Sequence, residues 1–113
     1  MRLLLDTHLV IWAAEDDRRL PGAARKAIAD PAARVAFSVV TLWGVAIKSA
    51  RRRPDFGHAP DAVRGACLRA GWEELPVLGA HALEVARLPA IHGDPLDRLL
   101  VAQARAERLT LLT

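Results

Sequence analysis

Short apolar runs alternate along this chain with longer amphipathic or alanine-rich stretches. Arg2 to Leu5 is too short for a helix and is closed by Asp6, so it reads as a buried strand. "RVAFS", Arg34 to Ser38, reads as a second strand, "WEELPV", Trp72 to Val77, as a third, and the closing "LTLLT" as a fourth. Between them the period changes. Helices are predicted over Thr7 to Ala14 and Leu20 to Asp30, where Pro21 suits a first turn and Pro31 closes the segment. Further helices are predicted over Val39 to about Arg51, Asp61 to Ala70 with Gly71 as its stop, Gly79 to Arg87, and Asp94 to about Glu107. "RRRPDFGHAP" and "LPAIHGDP" are loops by their Pro, Gly and charge content.

Strands alternating with helices argue for an α/β domain with a parallel sheet. At 113 residues the chain is read as one domain. Sites in such sheets collect beyond the carboxyl ends of the strands, near the point where strand order reverses. Asp6 stands at such an end. It serves either as the N-cap of the next helix or as a site residue, and the spacing leaves both open.

The second acidic feature is "HGDPLDRLLVAQA", His92 to Ala104. Asp94 before Pro95 is a strong helix start, and Asp97 follows on the same face, where acids also suit the helix dipole. Arg98 either neutralises these acids or points to solvent. The third feature is Gly44, inside a helix and flanked by packing residues. Glycine there costs roughly 1 kcal/mol relative to alanine. Either another backbone must approach closely at residue 44, or something that belonged there has been removed. If the second strand lies beside the first, residue 44 looks towards Asp6.

Composition narrows the classes. The apolar fraction is 52%, yet only Trp12, Trp43, Trp72, Phe37 and Phe56 are aromatic, so the core must be mostly aliphatic. A net charge of +3 permits an anionic partner without demanding one. Cys67 is alone, which excludes an internal disulfide and suits a reducing cytoplasm. The longest apolar stretch, Val35 to Ile47, falls short of the roughly 20 residues of a membrane span. Asp6 and His8 break the apolar run near the start, against a signal peptide. His8, His58 and His81 show no metal spacing among themselves, and His92 reads as a loop residue rather than a ligand, which leaves zinc without ligands. Phosphatase chemistry at Asp6 usually wants a second acid two residues on, where His8 stands. Lys48, Arg51, Arg52 and Arg53 form a basic run, either a phosphate-backbone contact or a solvated helix end. No aromatics interleave with it to mark a base-stacking platform.

Taken together, "LLLDTHLVIWAA", "FSVVTLWGVAIK", "LPAIHGDPLDRLLVAQA" and "LTLLT" resemble the PIN domain, most closely the VapC-type toxins of type II toxin–antitoxin pairs. The resemblance covers nearly the whole chain. It implies a three-layer α/β/α sandwich with a parallel sheet, of five strands in the family and four here. It also implies an acidic pocket for Mg²⁺ or Mn²⁺ and cleavage of RNA. Asp6 matches the first family acid, and Asp97 the third, with Asp94 a frequent companion; Asp6 and Asp97 are the expected metal residues. The second family acid, a glutamate in the Leu-Trp-Glu helix, falls on Gly44. The fourth falls beyond Thr113, so the chain is expected to lack the family's C-terminal end. Losing metal partners commonly costs 10–100-fold in affinity or activity. A weak or inactive nuclease is therefore expected, the glycine being either natural decay or an inactivating change. The implied partners are an RNA substrate, a VapB-type antitoxin and a second copy of the toxin. Leu9, Val10 and Trp12, or Leu42, Val45 and Ala46, are either dimer surfaces or plain core. The alternative function is a non-catalytic antitoxin-binding module.

Overall fold

The computed structural model of the chain describes residues 1–51, 58–89 and 93–113. Its elements follow in the order β1 (Arg2–Leu5), α1 (Thr7–Ala14), α2 (Gly22–Ala29), β2 (Arg34–Ser38), α3 (Val39–Ala50), α4 (Pro60–Arg69), β3 (Glu73–Leu75), α5 (Gly79–Val85), α6 (Pro95–Glu107) and β4 (Thr110–Leu112). Two helices separate each strand from the next. The sheet runs β3-β2-β1-β4 and every pairing is parallel. Leu4 aligns with Ala36 on one side and Leu111 on the other.

Both faces of the sheet are covered, which is why β1 and β2 are continuous apolar runs rather than alternating ones. Side chains on a strand alternate between faces. Leu3, Leu5, Val35 and Phe37 pack with Leu9, Val10, Ile11, Ala24, Val45, Val63 and Cys67. Leu4 and Ala36 turn the other way and pack with Val40, Leu100 and Ala104. The result is the three-layer α/β/α arrangement. Val40 and Val45 fall in different clusters, so α3 begins at the carboxyl edge of the sheet and contributes to both layers. Burial of Leu9, Val10 and Val45 closes the option that they form a surface between copies.

Most boundaries fall within a residue or two of expectation. Pro21 caps α2 from outside rather than entering its first turn. Strand β3 is shorter than "WEELPV" because Pro76 offers no N–H to a ladder. Gly71, with φ +83°, ends α4 in the left-handed conformation that glycine adopts without penalty. Helix α6 ends the same way at Arg108, φ +56°, without a glycine to announce it.

The order places β1, β2 and β3 in sequence on one side and β4 on the other flank of β1. Strand order therefore reverses between β1 and β4. The backbone N–H of Asp6 donates to Leu112 O at 3.0 Å, extending this pairing to the end of the strand. A crevice beyond these carboxyl ends is where an α/β sheet offers a binding site.

Candidate active site

A cleft of about 650 Å³ opens at that crevice. Asp6 and His8 come to it from the β1–α1 junction, Trp43, Gly44, Lys48 and Arg51 from α3 and its C-cap, and Asp94 and Asp97 from the start of α6. Leu111 and Thr113 close the β4 side. Residues nearly the whole chain apart thus line one space, and the three acids quoted from the sequence all border it where the strand order reverses. Arg52, Arg53 and His92 lie outside the described residues.

Asp6 caps a helix and also lines the cleft. Its Oδ1 accepts from the Leu9 N–H at 2.9 Å, capping α1, while the half-buried side chain lines the cleft. Asp94 Oδ1 accepts from the Leu96 N–H at 2.8 Å, capping α6. Each cap engages one carboxylate oxygen and leaves a second for a ligand. Asp97, in the first turn of α6, is exposed. Arg98 turns to the neighbouring loop, where its Nη1 donates to Pro89 O at 3.0 Å.

Gly44 is buried, and a Cβ built there would meet only Leu96 Cδ1, at 3.3 Å. That neighbour is the tip of a flexible side chain from the helix that carries Asp97. Among the described residues no backbone of another element crowds the position, so the close-approach explanation reduces to the Leu96 side chain. Thr7 Oγ1 and Thr41 Oγ1 stand 3.4 Å apart and link the N-terminal ends of α1 and α3. Thr7 is thus engaged in fixing the frame.

Two features escaped the sequence reading. Trp43, 56% exposed, lines the same cleft as Lys48 and Arg51, so an aromatic does accompany the basic residues. The signal was "LWG", a tryptophan ahead of the basic run on the same helix. The second is a buried polar chain. Ser38 Oγ accepts from the Val40 N–H at 2.9 Å and donates to Gln103 Oε1 at 2.5 Å. Gln103 Nε2 donates to Pro76 O at 3.2 Å and lies 3.4 Å from His81 Nδ1. The Leu78 N–H donates to Nδ1 of His81 at 3.0 Å, leaving Nε2 to donate to Glu107 Oε2 at 2.9 Å. Every buried side-chain polar atom among the described residues has a partner. The only hint in the sequence was Gln103, a lone amide on the apolar face of its helix.

A family model for the PIN domain matches residues 3–113. The chain belongs to the PIN domain family. Solved structures similar to this PIN domain include VapBC2 from Rickettsia felis bound to a DNA fragment from its promoter, at 14% identity and TM-score 0.69. That match covers 100% of this chain and 87% of the other. A toxin–antitoxin complex from Klebsiella pneumoniae matches at 19% identity and TM-score 0.64, over 98% of this chain and 84% of the other. At such identities the likeness shows the fold. No curated protein matches the chain significantly in sequence. No helix among the described residues is long and apolar enough to cross a membrane.

Proposed function

We propose that this PIN domain is a VapC-type ribonuclease toxin of a toxin–antitoxin pair, weakened by the glycine at position 44. The observation that carries the reading is the convergence of Asp6, Asp94, Asp97 and Gly44 on one cleft at the reversal of strand order. The antitoxin partner rests on the VapBC and toxin–antitoxin complexes among the similar structures.

The donor set suits Mg²⁺ or Mn²⁺. Among the described residues no three His, Cys, Asp or Glu side chains are grouped to hold one ion, which excludes a closed all-protein cage there. Mg²⁺ does not ask for one; it commonly keeps several waters and takes one or two carboxylates. Asp6 and Asp97 would hold it, with Asp94 orienting water beside them. When bound, such an ion polarises a phosphoryl oxygen and acidifies a coordinated water. The protein's own part is to gather the carboxylates, whose mutual repulsion the cation offsets, and to receive phosphates on Lys48 and Arg51. Position 44 lacks the carboxylate that would hold a further water or act as base.

The glycine at position 44, where the family carries an acid, also supports a second reading, a non-catalytic module that binds antitoxin. One assay separates them. Cleavage of single-stranded RNA is measured for the natural chain and for Gly44→Glu, with Mg²⁺ and with excess chelator. The toxin reading expects weak Mg²⁺-dependent cutting that rises at least tenfold in the variant. Equal, chelator-insensitive traces in both proteins refute it and leave the binding module.

A further inference from the structure

We propose that Trp43 is a base-stacking platform for the RNA, a substrate-positioning residue that acts beside the acids rather than with them. The proposal rests on the ribonuclease reading and adds how the strand is held.

Trp43 is 56% exposed, whereas Phe37 is fully buried in the core. Leaving a large ring in water forgoes a substantial burial term, about 25 cal/mol for each Å² of apolar surface. The ring is not alone. Val101, also exposed, Ile47 and Leu111 line the same cleft, giving it an apolar floor next to the carboxylates. Lys48 and Arg51, later on the same helix, face that space as well. An aromatic surface followed by two cations matches one nucleotide unit, a flat base joined to an anionic phosphate. Sites for single strands are built from these two parts.

A protein contact is the competing use of an exposed tryptophan. The chain offers a different surface for that: Val77, Leu78 and Leu83 are exposed around α5, and none of them lines the cleft. Trp43 instead borders a cleft that three carboxylates and two cations also line, a setting that suits an anionic chain neutralised by metal better than an apolar protein face. Stacking is tolerant of base identity, since every base has a π-face. Trp43 would therefore fix the register of the strand over Asp6 and Asp97 without dictating sequence.

The test uses the full chain and a labelled single-stranded RNA oligonucleotide, with binding followed by fluorescence anisotropy in Ca²⁺ to suppress cutting. Trp43→Leu keeps an apolar side chain and removes the π-face; Trp43→Phe keeps both. Trp43→Leu is expected to weaken binding about tenfold, and Trp43→Phe to retain most of the affinity. A single abasic site moved along the RNA should cost the natural chain a similar factor at one position and cost Trp43→Leu nothing there. Unchanged affinity in Trp43→Leu, or abasic losses equal in both proteins, overturns the stacking role while leaving the nuclease reading in place. Unchanged affinity with a loss of self-association by sedimentation assigns Trp43 to a protein contact and overturns it too. A natural chain that binds no RNA overturns the underlying ribonuclease reading itself.

Discussion

Replacing Gly44 by alanine decides whether that glycine serves packing. The position lies inside α3, and alanine is favoured over glycine in a helix interior by about 1 kcal/mol. Against this stands one contact, the new Cβ at 3.3 Å from Leu96 Cδ1, a few tenths of an ångström too close. Leu96 is only partly buried and can turn aside, at an off-rotamer cost of about 0.5 kcal/mol. The balance is a net gain of about 0.5 kcal/mol, or roughly 2–4 °C in melting temperature for a domain of this size. Thermal unfolding by circular dichroism measures it directly. Gly44→Glu adds a further carboxylate to the three in the cleft and should melt below Gly44→Ala without metal. Saturating Mg²⁺ at ten times its dissociation constant should then restore about 1.4 kcal/mol to the glutamate variant. A fall of more than about 4 °C in Gly44→Ala would mean that Leu96 is locked and that the glycine exists for packing. The vanished-acid explanation would then lose its physical basis.

Other consequences are directly measurable. Asp97→Asn removes a charge from an exposed first-turn position, so the melting temperature should shift by no more than about 0.5 kcal/mol equivalent while the Mg²⁺-induced shift disappears. Gln103→Leu strands the Ser38 hydroxyl and the Pro76 carbonyl, and should cost roughly 2–4 kcal/mol in urea unfolding. The Cys67 thiol is pushed up to about 11 by burial, so it stays protonated at neutral pH and should react with a thiol reagent only as fast as the fold opens. Because its unfolded value is lower, near 9.0, the unfolded chain holds fewer protons in that window; stability should decline as pH rises from 9 towards 11, and Cys67→Ala should flatten the decline. Lys48→Gln should weaken RNA binding and lower its salt slope by about one.

The order of strands and helices was legible because the central strands are apolar without interruption and each is closed by a polar residue, Asp6 or Ser38. Asp6 and Asp94 were legible as boundary acids because strand-then-Asp and Asp-Pro each carry a local geometric meaning. The structure shows both capping helices while lining the cleft, so capping does not decide against a site role. What stayed hidden depends on pairs distant in sequence. Ser38 and Gln103 are 65 positions apart, and nothing in either segment names the other. His81 read as a histidine without metal spacing, whereas burial against α6 decides its role. Arg108 takes a left-handed conformation that chain geometry imposes and its own residue type does not advertise. Trp43 was counted only in the aromatic inventory, because exposure is a property of the finished fold.

The hydrogen bond from Ser38 to Gln103 has a mechanical meaning. Ser38 is the residue from which α3 departs, and Gln103 lies within the helix that presents Asp94 and Asp97. A single buried bolt therefore fastens both banks of the cleft to the same strand end. Under the proposed ribonuclease reading, an RNA strand would enter between two banks that are tied to one strand end before it arrives.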